Sequence, residues 1–177
     1  MVFGNFFKRD PVQQSAEQLY AAIVAQSRLP AFYENAEVPD TVDGRFEMVC
    51  LHAFLVMRQL KGEDKRLQKL SQAVFDLMFA DMDQSLREIG VGDLGIGKRV
   101  KQMAKVFYGR VVAYETALDG GAESLEEALE RNHYGTVDTV SGDSTSKLAA
   151  YVRAVDARLK EQKTADILAG KLPFGDF

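Results

Sequence analysis

Apolar residues recur along most of this chain at steps of three and four positions, the spacing expected of amphipathic α-helices. The pattern is clearest between residues 65 and 89, where the recurring apolar residues are Leu67, Leu70, Val74, Leu77, Met78, Met82, Leu86 and Ile89. Residues 45–60 are apolar almost all round, which predicts a helix buried in the core. That segment is shorter than the about 20 apolar residues needed to cross a bilayer.

Glycine, proline and capping residues divide this pattern into separate helices. Pro11 is tolerated in a first helical turn, and Ser124 with Glu127 has the spacing of a capping box. The predicted helices cover residues 11–27, 45–60, 63–89, 97–118, 124–131 and 147–163. We predict an all-α, single-domain bundle of about five to seven helices over residues 1–177, with residues 1–10 flexible. The residues predicted to be buried are Phe54, Leu55, Val74, Leu77 and Phe107.

The composition and charge of the chain exclude only a few classes of function. The chain has 177 residues and a net charge of -4, which argues against DNA or another nucleic acid as the dominant partner. Its one cysteine, Cys50, cannot form an internal disulfide. The first residues resemble neither a signal peptide nor a transit peptide. Three phenylalanines and two basic residues within 3–9 suit either weak contact with a membrane surface or docking on the rest of the domain.

The segment 89–105, IGVGDLGIGKRVKQMAK, matches two nucleotide-binding patterns. Its glycines fit G-x-G-x-x-G, and GDLGIGK fits a P-loop except that Arg99 replaces the hydroxyl residue that holds magnesium. Both motifs require a strand before the loop, whereas the preceding residues have helical periodicity. We therefore predict a long helical hairpin joined by this glycine-rich loop. The alternative is an enzyme or switch that binds a phosphate ligand or a nucleotide such as ATP, GTP or NAD at residues 90–98.

In the hairpin interpretation the loop acts as a structural hinge. The predicted hinge residues are Gly90, Gly92, Asp93, Gly95 and Gly97. Gly90 is expected to end the first helix, because glycine suits the residue that follows a helix. Gly97 is expected to begin the second.

Four cations follow the loop. They are Lys98, Arg99, Lys101 and Lys105. Positive charge near the start of a helix opposes the helix dipole, so an anionic partner is expected. The acids available within the chain are Asp81, Asp83 and Glu88. The other interpretation is an external anion: lipid headgroups, ribosomal RNA or an acidic segment of another protein. We favour the external anion because four cations outnumber three acids.

The sequence shows no arrangement of catalytic or metal-binding residues. Cys50 and His52 lie two positions apart on a helix, so their side chains point in different directions, and His133 is the only other histidine. Asp76, Asp81 and Asp83 have no base, nucleophile or metal partner in the pattern. We predict no catalytic residue, no metal and no cofactor.

Several sequence pieces together resemble one protein family. The run RFEMVCLHAFLVMRQL, followed by FDLMFADMD, REIGVGDL and KQMAKVFYGR in that order, is similar to the ubiquinol–cytochrome c chaperone family. The similarity extends from Gln14 to Arg158 and is sharpest from Arg45 to Leu118. Members of that family are all-helical assembly factors of respiratory complex III in mitochondria and alphaproteobacteria. The resemblance implies a non-catalytic chaperone that binds newly made cytochrome b.

The resemblance also implies a surface for that client. A chaperone of a membrane protein needs apolar side chains beyond its own core, and methionine adapts to varied partners. The residues predicted to bind the client are Phe75, Phe79, Met82, Tyr108 and Arg110, with core packing as the alternative for each aromatic. The mitochondrial members carry a targeting extension that is absent here. We therefore expect a bacterial protein in the cytoplasm, peripheral at the inner membrane, with the ribosome or an anionic membrane surface as further partners.

Overall fold

The computed structural model describes residues 10–137 and 140–177, and within these ranges it contains eight α-helices and no β-strand. The helices are α1 (Pro11–Ser27), α2 (Pro30–Glu34), α3 (Val42–Gln59), α4 (Lys65–Glu88), α5 (Asp93–Leu118), α6 (Leu125–His133), α7 (Gly142–Glu161) and α8 (Thr164–Leu168). The predicted all-α class is confirmed. The count exceeds the predicted range because of α2 and α8, which have five residues each. The predictions for the first nine residues lie outside the described part of the chain.

Side-chain caps decide where two of the later helices begin. Ser124 and Glu127 form the predicted capping box ahead of α6. α7 begins at Gly142, five residues before the predicted start at residue 147, because Ser141 Oγ accepts the backbone N–H of Asp143 at 3.2 Å. The cap satisfies a helix-end donor that would otherwise have no partner within the helix.

α3 begins at Val42, three residues before the predicted start at residue 45, so Gly44 lies within the helix. Thr41 Oγ1 accepts the backbone N–H of Gly44 at 3.1 Å and so caps the helix. A Cβ atom at Gly44 would lie 1.9 Å from the carbonyl oxygen of Pro39. Glycine is therefore required here by close packing of the backbone and not by a turn.

α3 is the central helix, in contact with α1, α4, α5, α6 and α7. Its residues 46–56 are all buried, and they include Cys50 and His52, both predicted to lie in the core. His52 Nδ1 lies 2.8 Å from the carbonyl oxygen of Met48, and its Nε2 lies 2.8 Å from the Tyr151 hydroxyl. These hydrogen bonds account for a polar ring in an apolar core.

Four of the five residues predicted to be buried are buried. They are Phe54, Leu55, Val74 and Phe107. Leu77 is only half-buried, so the prediction for it is wrong. At 100° per residue Leu77 lies about 60° of arc from Val74, at the edge of the packed face of α4. The apolar stripe of α4 is wider than the face it buries.

α4 and α5 are joined by residues 89–92 alone. Gly90, with φ of +85°, ends α4 as predicted. α5 begins at Asp93, so the prediction that Gly97 begins this helix is wrong. Gly95 and Gly97 lie inside the first turns of α5, although each glycine costs a helix about 1 kcal/mol relative to alanine. A hinge role for the loop stays a prediction.

Candidate functional site

A cleft opens between the first half of α3, the end of α4, α5 and the end of α6. It encloses about 670 Å³. Its apolar lining consists of Val42, Phe46, Leu86, Ile89, Met103 and Val106. Val42 and Ile89 are 59% and 57% exposed, so the rim of the cleft presents apolar side chains to solvent. We call this feature the α5 cleft.

Three arginines line the α5 cleft, and two of them are paired. Arg110 donates from Nε and Nη2 to the two carboxylate oxygens of Glu47 at 2.8 and 2.7 Å. These hydrogen bonds raise the pKa of Arg110. Arg131 pairs with Glu123. Arg99 forms no ion pair with any acid that the structure describes, so its charge is available to a partner.

Two buried polar side chains of α6, Asn132 and His133, line the α5 cleft near the Glu47–Arg110 pair. His133 is 2% exposed, and burial lowers its pKa to about 3, so the ring is neutral at pH 7. Its Nδ1 lies 3.2 Å from the Tyr114 hydroxyl. Opposite, at the start of α3, the carboxylate of Asp43 is exposed. The cleft therefore offers hydrogen-bonding groups as well as apolar walls.

The outer face of α5 carries a second surface. It consists of Leu94, Lys98, Lys101, Lys105, Tyr108 and Val112, all of them exposed. At 100° per residue these six side chains lie within about 80° of arc on the helix. We call this surface the lysine stripe. Arg99 points towards the α5 cleft, at least about 100° of arc away from each lysine of the lysine stripe. The four predicted cations are thus divided between two surfaces.

The structure does not show the internal pairing that was the alternative interpretation of these cations. The three acids have other hydrogen-bond donors: Tyr20 for Asp81 at 2.6 Å, Arg87 for Asp83 at 2.6 Å and Gln84 for Glu88 at 2.8 Å. None of the four cations forms an ion pair with an acid in the described ranges. The opposition to the helix dipole is also smaller than expected. α5 begins at Asp93, more than one turn before Lys98, and the dipole effect fades within the first turn.

The aromatic residues predicted to bind the client form a cluster that joins α4 to α5. The ring centroid of Phe75 lies 4.6 Å from that of Phe79, 5.9 Å from that of Phe107 and 5.6 Å from that of Tyr108. Phe79 is only 9% exposed. The cluster therefore reaches solvent mainly at Tyr108 and at the half-buried Phe75, beside a shallow groove of about 360 Å³.

The other two predicted client residues lie apart from that groove. Met82 is half-buried against the core, and Arg110 lies in the α5 cleft, held by Glu47. Client binding by these residues stays a prediction. Sequence reasoning missed Glu47 and Ile89. An acid inside the apolar run of α3 was the available signal for Glu47, because a buried charge needs a partner. Ile89 had been assigned to the core-facing stripe.

The glycine segment lacks the surroundings of a nucleotide site. A helix, α4, precedes it in place of the strand that both motifs require. Asp93 occupies the first turn of α5 and accepts a hydrogen bond from Arg87 at 2.7 Å, so an acid lies where a phosphate would bind. In the described part of the chain no group of three or more His, Cys, Asp or Glu side chains could hold a metal ion. No observation supports the phosphate-binding alternative.

Comparison with known proteins decides the family. Residues 34–174 match the ubiquinol-cytochrome C chaperone family. The chain belongs to the ubiquinol–cytochrome c chaperone family. The resemblance seen in the sequence is thereby confirmed. The fold of this family member is similar to that of the Cbp3 homolog from Brucella abortus, known from its crystal structure. The two share a TM-score of 0.83 and 40% sequence identity, covering 94% of this chain and 91% of the other.

Two more distant relatives of this family member are animal proteins named ubiquinol-cytochrome c reductase complex assembly factor 1. The protein from Xenopus laevis is 22% identical over 121 residues, which are 68% of this chain and 60% of the relative. The protein from Homo sapiens is 22% identical over 123 residues, or 70% of this chain and 41% of the relative. The chain thus spans only part of the length of these relatives. Among the described helices, none is long and apolar enough to cross a membrane.

Proposed function

We propose that this protein is a non-catalytic chaperone for the assembly of ubiquinol–cytochrome c reductase, respiratory complex III, and that its client is newly made cytochrome b. The observation that carries the proposal is the family match over residues 34–174. The structural relative at 40% identity and the names of the two animal relatives agree with it. Such a chaperone needs binding surfaces rather than reactive groups, and α5 offers two.

The α5 cleft is the surface that we assign to the client. A polypeptide presents apolar side chains next to hydrogen-bonding groups, and the α5 wall of the cleft mixes the same two kinds. Met103 and Val106 are apolar, while Gln102 is polar and Arg99 carries a charge without a described acidic partner. An acidic residue of the client would pair with Arg99. The exposed apolar rim at Ile89 would be stabilised by burial, at about 25 cal/mol per Å².

Capture of cytochrome b tests both the function and the surface. The tagged protein is mixed with detergent-solubilised native membranes, and retained proteins are identified by mass spectrometry. A cleft variant, Ile89→Asp with Arg99→Glu, is compared with a second variant, Tyr108→Asp with Lys69→Glu. Both variants replace one exposed apolar side chain and one cation that forms no ion pair with a described acid.

We expect the unchanged protein to enrich cytochrome b over other membrane proteins. The cleft variant should retain at least about tenfold less, because it puts a carboxylate on an apolar contact and sets a like charge against the acidic residue of the client. The second variant should retain the client. Failure of the unchanged protein to enrich cytochrome b contradicts the proposed function. If only the second variant fails to retain cytochrome b, the client binds the groove beside Phe75 and Tyr108 and not the α5 cleft.

The proposal includes a place of action: a bacterial cytoplasm, at the inner membrane, with the ribosome as a further partner. A client that is bound while newly made must be met close to the ribosome that makes it. Fractionation of cells, with sedimentation of ribosomes in sucrose gradients, measures this association. Recovery of the protein only from the periplasm would contradict the proposal.

The rival function is tested by calorimetry. Isothermal titration with ATP, GTP and NAD should give no heat of binding, because the strand before the glycine segment is replaced by α4. Micromolar binding that Lys98→Ala abolishes would instead favour a phosphate ligand at residues 90–98.

A further inference from the structure

The lysine stripe concentrates positive charge on one face of an acidic chain. Residues 94–112 contain five Lys and Arg residues and no Asp or Glu, whereas the whole chain has a net charge of -4. Two of the five, Arg99 and Arg110, turn into the α5 cleft, which leaves the three lysines on the outer face. None of the three pairs with an acid that the structure describes.

The same face exposes apolar side chains at both ends. Leu94 is fully exposed, Tyr108 is 58% exposed and Val112 is 66% exposed. At 1.5 Å per residue, the stripe from Leu94 to Val112 is about 27 Å long. The face is thus a straight row of apolar, cationic and again apolar side chains.

We propose that the lysine stripe lies flat on an anionic phospholipid surface. The lysines would contact the phosphate groups, while Leu94, Tyr108 and Val112 would enter the boundary between headgroups and acyl chains, as in interfacial helices. The opposite face of α5 packs Phe107 and Tyr114 into the core, so only the side chains of the stripe can enter the lipid. The contact is peripheral.

The chemistry of the stripe favours lipid over a protein or nucleic-acid partner. All three of its cations are lysines, which act as point charges on flexible stems, whereas recognition of a defined carboxylate or phosphate geometry favours arginine. A fully exposed Leu94 needs no matching pocket at a fluid surface, but it would need one on a protein. The net charge of the chain opposes nucleic acid as a partner.

The acids beyond the stripe do not cancel its charge. Glu115 lies near the end of α5, and Asp119 directly follows the helix. Both pair with cations at the end of α3 and in the connection between α3 and α4. Lys61 donates to both carboxylate oxygens of Glu115 at 2.6 Å, and Arg58 pairs with Asp119. These two carboxylates are therefore already paired, and the three lysines of the stripe keep their positive charge.

Co-sedimentation with vesicles tests this proposal independently of any client. The full chain is mixed with vesicles of phosphatidylcholine alone and of phosphatidylcholine with phosphatidylglycerol. The stripe variant is Lys98→Glu, Lys101→Glu and Lys105→Glu. The matched control is Lys65→Glu, Lys69→Glu and Lys163→Glu, which makes the same change of charge at exposed lysines elsewhere. Circular dichroism establishes that each variant is folded.

We expect binding to the anionic vesicles only, weakened by added salt because exposed charges are screened. The stripe variant should bind at least about tenfold less, and the control should bind within about twofold of the unchanged protein. Leu94→Asp should also weaken binding more than Val42→Asp, which changes an exposed apolar residue of the α5 cleft.

Three outcomes would overturn the proposal. The first is equal binding to neutral and anionic vesicles, and the second is equal weakening by the stripe and control variants. The third is an unchanged protein that does not bind anionic vesicles. If the stripe variant then also loses cytochrome b in the capture experiment, the stripe is a contact surface for protein. Vesicle binding without capture of cytochrome b would leave this proposal standing and remove the proposed client.

Discussion

The two helices that contribute most residues to the α5 cleft, α3 and α5, bury very different shares of their residues. α3 has 18 residues and buries 12 of them, whereas α5 has 26 residues and buries only Ile96, Phe107 and Tyr114. α3 contacts five other helices and holds the fold together. α5 keeps one narrow face in the core and presents the rest to a cleft and to solvent. From this difference we predict that substitutions in α3 mainly lower stability and that substitutions on the exposed faces of α5 mainly affect binding.

The largest expected effect is the loss of a buried ring from α3. Phe54 is 1% exposed, and its ring lies 5.6 Å from that of Tyr114. Phe54→Ala should lower the free energy of unfolding by about 3–5 kcal/mol, because it removes apolar burial and leaves a cavity. Urea unfolding followed by circular dichroism measures this. Val112→Ala on α5 is the matched change at an exposed site, and it should change the free energy of unfolding by no more than about 0.5 kcal/mol.

The next effect is a pH dependence that comes from buried histidines. Burial lowers the pKa of His52 on α3 to about 4. Its ordinary pKa is about 6.5, so the unfolded chain binds a proton first, and stability is lost as the pH falls from about 6.5 towards 4. Between pH 7 and pH 5 we expect a loss of about 2 kcal/mol from His52 alone. His133, with a pKa lowered to about 3, adds to it in the same direction.

Urea unfolding at several pH values checks this dependence. His52→Gln should be less stable at pH 7 and should lose less stability on acidification than the unchanged protein. A free energy of unfolding that stays constant from pH 7 to pH 5 would contradict the prediction.

A smaller effect is expected at the ion pair that links the two helices. Glu47→Gln removes the charge that partners the half-buried Arg110, which we expect to cost about 1–2 kcal/mol. Asp40→Asn removes the charge from an exposed pair with Arg45 and should change stability less. Thermal unfolding measures both variants. Adding Arg110→Gln and the double variant Glu47→Gln with Arg110→Gln completes the cycle that gives the coupling between α3 and α5. Equal losses of stability for Glu47→Gln and Asp40→Asn would show that partial burial does not strengthen the Glu47–Arg110 pair.

The smallest effect on stability is expected from the outer face of α5. Lys98→Glu, Lys101→Glu and Lys105→Glu together should change the free energy of unfolding by less than about 0.5 kcal/mol per site, because no described acid pairs with these lysines. Urea unfolding of the folded variant measures the change. A loss as large as that of Phe54→Ala would show that the stripe supports the fold and would break the contrast between the two helices.

The sequence by itself determined the elements that local chemistry controls. The apolar period predicted the buried α3 and the long α4, and the spacing of Ser124 and Glu127 predicted the capping box of α6. These features depend on residues within a few positions of each other, which the sequence shows directly. The family resemblance was visible for a related reason, since it rests on contiguous pieces between Arg45 and Leu118.

Only the tertiary structure decided how residues distant along the chain meet. Gly97 was predicted to begin a helix, but α5 already begins at Asp93. Lys98 and Arg99 are neighbours in sequence and belong to different surfaces, because one residue step turns a helix by 100°. Asp81, one of the acids considered as a partner for these cations, instead accepts a hydrogen bond from Tyr20, 61 positions away. Glu47 and Arg110, 63 positions apart, are joined because the packing of α5 on α3 brings them together.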